Sequence, residues 1–560
     1  MKPLRQGLTA LLLAGITGLP VADAQEGMNV DHVANMERAY NAKLSPDGRY
    51  IAYQVTQSPD PEEENERTSI RLHLYDTEDE EITPYYTQGN VSSVSFRPGH
   101  NTLTFLTSQE GDRGRALYEM PLDGGSASKL MGFKRSIRGY DFGPDGNRVV
   151  FTAKKPGGGS PDSDMPYQPE LFEEGAVNTK AFVADLSKAS PKPKMIQNDG
   201  TVYTLRFSPS GDRIAYSIAP SPRVDNYYMK KDVQIASYDN QEVVAELNHD
   251  GKLADIRWSP DGEQIALLAG NDIHDVIAGR IMISPAEDGA EVQNIKPTFK
   301  GKFEQIRWHE DDELHFLASE GTERSYGLIE AESGKIDYVY KPGSDKLIYQ
   351  EFSRNEDGDA AFVVTKPSHP REIYHKDGRG TPERITNSNE GMSELAMGEQ
   401  TVISYEAEDG KALEGVLIKP VGYKDDQVPV IVVAHGGPES HYSNGWLTRY
   451  IYPGQVAAAQ GYAVFYPNYR GSTGYGIDFL KSSQGDAAGK EFDDIVDGVD
   501  HLIEEGIADP DKVGVTGGSY GGYATAWLCT KYSNRFAAGV KSFGISDNIS
   551  KWGTTDIPME

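Results

Sequence analysis

A short unit recurs seven times between residues 44 and 366, and it constrains the fold more than any other feature of the sequence. The clearest early copy, at residues 44–53, reads LSPDGRYIAY: a large apolar residue, a Pro/Asp/Gly turn and then alternating apolar residues. Related units begin at Phe96, Phe142, Phe207, Trp258, Trp308 and Phe352. Such turns followed by a period of two are typical of β-hairpins. Seven hairpin units predict a seven-bladed β-propeller over residues 44–395, the alternative being one large irregular all-β domain.

The first 24 residues have the pattern of a secretory signal peptide. Lys2 and Arg5 give a basic start, residues 8–19 are apolar, and small residues at 22–24 suit cleavage. The apolar stretch is shorter than the roughly 20 residues that a membrane-spanning helix needs. The alternative is a buried first helix. The sequence therefore predicts an exported protein in which residues 25–43 form a linker before the propeller.

The amino-acid composition indicates the cellular compartment of the protein and excludes some classes of binding partner. Cys529 is the one cysteine, so no intramolecular disulfide can form, and an exported protein without disulfides suits a bacterial periplasm. The formal net charge of −30 repels phosphate backbones and argues against nucleic acid as a partner. No further segment predicts a membrane span, and no His/Cys cluster has metal-ligand spacing. We therefore expect neither a metal nor an organic cofactor; the oligomeric state is left open.

Near residue 399 the pattern changes from hairpins to alternating strands and helices. Val428–Ala434 is a continuous apolar run, as in a strand buried on both faces, and residues 492–503 carry apolar residues at helical spacing. Further strands are predicted at residues 401–405, 413–419, 462–466, 513–516 and 537–543. This order predicts an α/β domain over residues 396–560, with a sheet that is largely parallel in its later part.

The motif Gly517-x-Ser519-x-Gly521 follows a predicted strand and precedes a predicted helix, which is the pattern of a nucleophile elbow. A serine that attacks a carbonyl carbon needs a base and hydrogen-bond donors for the oxyanion. The sequence HGGP at 435–438 directly follows the buried strand, where this fold places a glycine-rich loop. We expect the backbone N–H groups of Gly437 and Tyr520 to form the oxyanion hole. His435 is expected to be structural or to contact substrate rather than to act as the base.

Three motifs in this order behind a propeller resemble the prolyl oligopeptidase family of serine peptidases. They are HGGP at 435–438, NYRGSTGYG at 468–476 and GGSYGGY at 517–523. The likeness is greatest to its acylaminoacyl-peptidase and dipeptidyl-peptidase-like members. The resemblance implies an α/β-hydrolase domain that cleaves short peptides through an acyl-enzyme on Ser519, with the propeller excluding folded proteins.

The same resemblance suggests substrate-binding residues. Ile545, Trp552 and the ring of Tyr520 are expected to line the pocket for the side chain before the cut bond, although Trp552 suits ordinary core packing equally well. Arg470 either touches substrate or holds its loop through hydrogen bonds to backbone carbonyls. Dipeptidyl activity would also need carboxylates for a free α-amine, and the acidic ranges 62–64 and 173–174 are the candidates.

The catalytic triad is incomplete in the sequence. In this fold the order is Ser, Asp, His, yet none of the 41 residues after Ser519 is histidine. Asp547 and Asp556 lie earlier than the family places its acid. We therefore expect the sequence to be a C-terminally truncated piece of a longer peptidase, without normal activity as written. The alternatives are a non-catalytic, propeller-containing peptide-binding module, and an esterase or other acyl hydrolase that uses the same serine.

Overall fold

The computed structural model describes residues 25–59, 68–155, 175–378 and 380–558. The predicted signal peptide and the acidic ranges 62–64 and 173–174 lie outside the described residues. Within those that are described, no helix combines the length and the apolar character that crossing a bilayer requires.

Seven four-stranded antiparallel sheets form the first domain, each built from four consecutive strands. Blades 1 to 3 comprise β1 Arg38–Leu44, β2 Tyr50–Gln57, β3 Ser69–Asp76, β4 Glu81–Tyr86; β5 Ser92–Phe96, β6 Thr102–Thr107, β7 Ala116–Pro121, β8 Ser128–Met131; β9 Ile137–Phe142, β10 Arg148–Lys154, β11 Thr179–Asp185, β12 Lys194–Met195. Blades 4 and 5 comprise β13 Thr201–Phe207, β14 Arg213–Ala219, β15 Asp232–Ser237, β16 Val243–Leu247; β17 Leu253–Trp258, β18 Gln264–Ala269, β19 Arg280–Pro285, β20 Gln293–Asn294. Blades 6 and 7 comprise β21 Lys302–Glu310, β22 Glu313–Glu320, β23 Glu323–Glu330, β24 Ile336–Tyr340; β25 Ile348–Arg354, β26 Ala360–Lys366, β27 His369–Lys376, β28 Glu383–Arg384. The predicted seven-bladed propeller is confirmed.

The repeated apolar residue lies at or near the end of the first strand of each blade, and the turn after it leads into the second strand. First strands of neighbouring blades lie together, as β13 does with β9 and β17, so they line the propeller axis. In blades 5 and 6 the repeated residue also ties its blade to the preceding one. Trp258 Nε1 donates to the carbonyl of Arg206 over 3.2 Å, and Trp308 Nε1 to that of Arg257 over 3.1 Å.

Arginines near the turns link blades on their outer side. Each reaches the carbonyl of a turn glycine in the next blade: Arg97 to Gly146 over 2.8 Å, Arg148 to Gly211 over 2.6 Å, and Arg213 to Gly262 over 2.7 Å. Hydrogen bonds from charged donors are worth about 1.5–3 kcal/mol each. The repeat therefore specifies contacts between blades as well as the hairpin within each blade.

Blades 1 and 7 close the ring by side-chain contacts, because no strand is shared between them. The backbone N–H of Leu44 donates to Ser353 Oγ over 3.0 Å, and that of Asn41 to Glu351 Oε2 over 2.9 Å. Strand β1 thus occupies residues that the sequence assigned to a linker, and the first blade begins at Arg38. The hairpin signal starts only at the turn after Leu44, so it could not reveal the strand before that turn.

The segment before the propeller contacts the second domain. Gly27 forms a parallel bridge with Ala396, and α1, Val30–Ala34, follows it. Met28 is fully buried in a small apolar cluster with Met392, which lies in a 3-10 helix just before the second domain. Both ends of the propeller chain therefore meet at the same place.

The second domain is a six-stranded sheet in the order β29-β30-β32-β31-β33-β34. Its strands are β29 Gln400–Glu406, β30 Ala412–Ile418, β31 Val428–Ala434, β32 Ala463–Asn468, β33 Ala508–Gly518 and β34 Ala538–Ser542. The remaining helices are α2 Val224–Met229, within blade 4, and α3 Gly454–Ala459, α4 Ile477–Leu480, α5 Lys490–Glu504, α6 Tyr520–Lys531 and α7 Asn548–Thr554; 3-10 helices span Glu390–Glu394 and Lys481–Ser483. The first two strands are antiparallel to their neighbours and the last four are mutually parallel, which confirms the predicted α/β-hydrolase class.

Apolar clusters cover both faces of this sheet. On one face, α5 packs Phe492, Ile495 and Val499 against the strands, and all three are fully buried. The opposite face buries Val433 of β31 beneath other loops and helices. Burying an aromatic or branched side chain contributes about 1.5–3 kcal/mol, which explains the continuous apolar run in β31.

Candidate active site

Ser519 occupies a strained turn between strand β33 and helix α6. Its φ of 55° and ψ of −122° lie in a region that residues with a side chain rarely adopt. The carbonyl of Ser519 accepts hydrogen bonds from the N–H groups of Gly522 and Tyr523, over 3.0 and 3.1 Å. The Ser519 side chain is exposed. The turn therefore presents its hydroxyl at the carboxyl edge of the parallel strands.

The flanking glycines are required because the turn lies against β31. A methyl group on Gly517 would come within 2.6 Å of the carbonyl oxygen of Ala434, and one on Gly521 would come closer still. Real Cβ atoms essentially never approach to less than 3.0 Å. The motif thus places the beginning of α6 directly on the end of β31.

The glycine-rich loop after β31 lies beside the serine. A methyl group on Gly436 would be 3.2 Å from Ser519 Cβ and 3.7 Å from Ser519 Oγ. Gly437 follows with φ +119°, a conformation that favours glycine. Tyr520 is the first residue of α6, where backbone N–H groups have no acceptor within the helix. These positions are compatible with the expected oxyanion hole, which stays a prediction.

His435 holds this loop in place. The side chain is 2% exposed, and its ring stacks on Tyr469 with centroids 4.2 Å apart. Nε2 is 2.9 Å from Ser472 Oγ, and Nδ1 is 3.0 Å from the carbonyl oxygen of Gly436. Burial lowers the pKa of His435 to about 4, so the ring is neutral at pH 7. Both ring nitrogens have partners within the protein, which agrees with the structural alternative that the sequence offered; a substrate contact stays a prediction.

Arg470 is likewise part of the scaffold. Its guanidinium donates to both oxygens of Asp494 on α5 over 2.6–3.0 Å and to both oxygens of Asp409 over 3.0 Å. Asp494 also accepts from the Arg470 N–H over 2.8 Å. Hydrogen bonds to Asp494, followed by those to Asp409, raise the pKa of Arg470. The predicted loop-holding role is therefore observed, although carboxylates rather than backbone carbonyls accept the hydrogen bonds; a substrate contact stays a prediction.

The ring of Tyr520 packs against helix α5, and pocket lining by this ring stays a prediction. Its centroid is 5.5 Å from that of Phe492, and its hydroxyl donates to Glu491 Oε1 over 2.8 Å. Glu491 is fully buried and also accepts from the N–H of Gly489 over 3.0 Å. Burial raises the pKa of Glu491 even though these bonds favour the carboxylate. The sequence did not reveal this contact, although a carboxylate in the first turn of a helix is a recognised capping signal.

Trp552 lies within helix α7, and Ile545 lies just before that helix. Trp552 lies on α7 with 76% of its surface exposed, and Ile545 is half-buried. Core packing of Trp552 is not observed, and pocket lining by Trp552 and Ile545 stays a prediction. Val540 and Phe543, in the same part of the domain, are also exposed. Helix α7 itself contains no buried residue.

The loop after β32 connects the two domains. Glu414 Oε1 accepts hydrogen bonds from the N–H of Thr322 in blade 6 and from the hydroxyl of Tyr475, each over 2.7 Å. Asn468 Nδ2 donates to the same tyrosine hydroxyl over 2.8 Å. Because β31, β32 and β33 are parallel neighbours, their loops share one edge of the sheet, and that edge faces the propeller. Glu414 is a key residue that no sequence motif indicated.

The described residues supply no base for Ser519. None of the histidines within them hydrogen-bonds to its hydroxyl, and the same part of the chain contains no cluster of three or more potential metal ligands. An exposed serine on a strained strand-to-helix turn, beside a glycine-rich loop and facing a propeller, nevertheless defines a serine hydrolase of the α/β class.

Comparisons with known proteins specify the family. Residues 450–560 match the model of the prolyl oligopeptidase family. The chain is 29% identical to the uncharacterized peptidase YuxL of Bacillus subtilis, over 95% of this chain and 84% of that protein. It is 24% identical to dipeptidyl-peptidase 5 of Porphyromonas gingivalis, over 98% and 84%. The structure of the Pyrococcus horikoshii acylaminoacyl peptidase superposes with a TM-score of 0.75 and 22% identity, over 95% and 81%. Residues 450–560 therefore match the domain of the prolyl oligopeptidase family, and the peptidase relatives that align with most of the chain support a serine peptidase.

Replacing Arg470 tests its scaffold role. Arg470→Met leaves the fully buried Asp494 without its cation, and we expect the free energy of unfolding to fall by about 3–5 kcal/mol. Lys490→Met, which removes a more exposed partner of the same Asp409, should cost less than about 1 kcal/mol. Urea denaturation measures both. Equal losses for the two variants would contradict the assignment.

Acid should loosen the loops around the serine. Burial lowers the pKa of His435 to about 4 and that of His441 to about 3, so between pH 6.5 and 4 the unfolded chain binds protons that the folded chain does not. As the pH falls through this range, each histidine lowers the free energy of unfolding by up to about 1.4 kcal/mol per pH unit. Melting temperatures between pH 7 and 5 should therefore decline less steeply for His441→Gln than for the wild type. The exposed His274→Gln is the control; an unchanged slope in His441→Gln would refute the explanation.

Proposed function

We propose that the protein is an exported serine peptidase that releases short fragments or N-terminally blocked residues from short peptides, with Ser519 as its nucleophile. One observation carries the proposal: the exposed, strained Ser519 lies in contact with Gly436 at the sheet edge that faces the propeller. A strained backbone at an exposed nucleophile is typical of an active site.

The chemistry follows from these positions. Ser519 Oγ bonds to the peptide carbonyl carbon, and the N–H groups of Gly437 and Tyr520 stabilise the resulting oxyanion. The C–N bond then breaks, the amine leaves with a proton, and water hydrolyses the acyl-enzyme. The serine proton needs an acceptor during the first step. In this family's mechanism that acceptor is a histidine, and no histidine of the described residues contacts Ser519.

Peptide ends are supported as the substrate by two observations. The printed names of similar proteins, dipeptidyl-peptidase 5 and acylaminoacyl peptidase, both denote release from an N-terminus. The acidic ranges 62–64 and 173–174 lie outside the described residues, but each is flanked by the end of the second strand and the start of the third strand of its blade. In blade 6 the equivalent turn contacts the catalytic domain. Carboxylates are suited to bind an α-amine, and these two acidic ranges are the candidates that the sequence offers.

A second candidate is a non-catalytic peptide-binding module. The absence of any hydrogen bond from a described histidine to Ser519 favours it. An esterase would use the same serine, and the preference for peptides depends on the propeller and on the motif at 468–476.

A fluorophosphonate tests the nucleophile in the full-length gene product. We expect covalent labelling that is lost in Ser519→Ala and kept in Ser546→Ala, a matched serine on a neighbouring exposed segment. Labelling that survives Ser519→Ala would reject the assignment. Peptide binding without any labelling would favour the binding module.

Chromogenic substrates then test the class. Free-amine dipeptide, N-acetylated and internal-proline substrates should be compared with the same protein and with p-nitrophenyl acetate. Preference for a free-amine or N-acetylated substrate, abolished in Ser519→Ala, supports release from the N-terminus. Ester cleavage alone would contradict it.

Export to a bacterial periplasm is part of the proposal and depends on the signal pattern at residues 1–24. Mass spectrometry of the protein from a periplasmic fraction should find a mature N-terminus near Gln25. Recovery of an uncleaved chain from the cytoplasm alone would overturn it.

A further inference from the structure

The innermost strands bring a layer of charged side chains together at the propeller axis. The residue just before the repeated apolar residue is charged in six blades: Lys43, Asp141, Arg206, Arg257, Arg307 and Glu351. In blade 6 the start of β21 lies beside Gly476 of the catalytic domain. This strand therefore begins on the propeller face next to the catalytic domain and ends on the opposite face of the propeller. The charged layer therefore lies at the mouth of the propeller axis that points away from Ser519.

Three guanidinium groups in this layer share one carboxylate. Asp255 lies 2.9 Å from Arg206 Nη2, 2.5 Å from Arg257 Nη2 and 3.7 Å from Arg307 Nη1. Each guanidinium has five N–H donors, whereas one carboxylate accepts about four hydrogen bonds. Arg206 Nε and Arg257 Nε are buried and have no hydrogen-bond partner among the described residues. Arg206 and Arg307 each donate to a backbone carbonyl, and Asp141 lies near enough to interact with Arg206 and Arg257, yet the two Nε–H groups are left without an acceptor in the described part of the chain.

The pKa values of Lys43 and Asp255 are shifted in the directions that an excess of cations around them would cause. Burial, and after it repulsion by Arg307, lowers the pKa of Lys43 to about 8. Burial would raise the pKa of Asp255, yet the surrounding guanidiniums, led by Arg257, bring it down to about 2. The site is thus locally cationic although the chain carries a net charge of −30.

A cavity of about 300 Å³ opens on this cluster between blades 3, 4 and 5. Arg206 and Arg257 line it, and the aromatic side chains of Phe142, Phe207 and Trp258 form much of its wall. Apolar walls strengthen the attraction between a cation and an entering anion because they lower the local dielectric constant. The volume suits a small ligand or the end of a peptide rather than a nucleic acid.

We propose that this cavity is an oxyanion-binding site in which a carboxylate or inorganic oxyanion binds between Arg206 and Arg257. The planar guanidinium fork pairs with such oxygens in bidentate fashion, and both arginines line the cavity. The ligand is either a free anion or the carboxylate of a peptide. An ion bound there would join blades 4 and 5 at the mouth of the propeller axis that points away from Ser519.

The first test measures sulfate binding by thermal shift at constant ionic strength, balanced with sodium chloride. The wild type should show a saturable rise in melting temperature. Arg257→Gln should weaken sulfate binding at least tenfold, whereas Arg49→Gln, which removes an arginine paired with Asp76 in blade 1, should leave it unchanged. A rise that does not saturate, or equal affinities in the wild type and Arg257→Gln, would overturn the proposal.

Asp255→Asn provides a variant that should gain affinity. Removing this carboxylate frees donors on Arg206 and Arg257, so sulfate should bind several-fold more tightly and restore any stability that the variant has lost. Unchanged or weaker binding would contradict the proposal. Tripeptides with a free or an amidated C-terminus then distinguish the sources. Competition by the free acid alone supports a peptide carboxylate, and competition by neither supports a free anion.

Discussion

The contact between the Ala434 carbonyl and the turn around Ser519 determines the geometry of the catalytic domain. Only hydrogen atoms fit between this carbonyl and the α-carbons of Gly517 and Gly521, so β31, β33 and α6 can meet at the turn. A residue in such a sparsely populated conformation costs about 1–3 kcal/mol. Packing of α6 offsets that cost, since Ala524 and Leu528 are fully buried against the sheet.

The same contact explains why the motifs after β31 and β32 are mainly structural. Once α6 begins on the end of β31, the loop that starts at His435 must pass beside Ser519, and it needs support from the next strand. His435 obtains this support from Tyr469 and Ser472, and Arg470 anchors their loop to α5 through Asp494. Side chains that look available for substrate in the sequence are therefore already engaged within the protein.

The features that the sequence predicted well are those that depend on local sterics. The propeller repeat and the Ser519 turn both need glycine or a turn residue at fixed positions, so they leave a readable pattern. Partners that come from distant parts of the chain leave none. Glu414 meets Thr322 across the domain interface and Glu491 meets Tyr520 between two helices, and each acid alone resembles an ordinary surface residue. Strand β1 was missed for a different reason: it pairs with the next strand, β2, but the hairpin pattern becomes recognisable only at the turn after Leu44.

The net charge of the sequence likewise does not reveal a local cluster of the opposite sign. A chain with 85 acidic and 55 basic side chains is expected to repel anions as a whole, but salt screens this repulsion between exposed charges beyond about 8–10 Å. Inside the propeller the separation between Arg206, Arg257 and Asp255 is far shorter. The local excess of guanidinium donors then decides what binds, because buried charges are screened much less than exposed ones. The excess arises because the same strand position is an arginine in three successive blades. Arg206, Arg257 and Arg307 therefore lie side by side, although about 50 residues separate each from the next in the sequence.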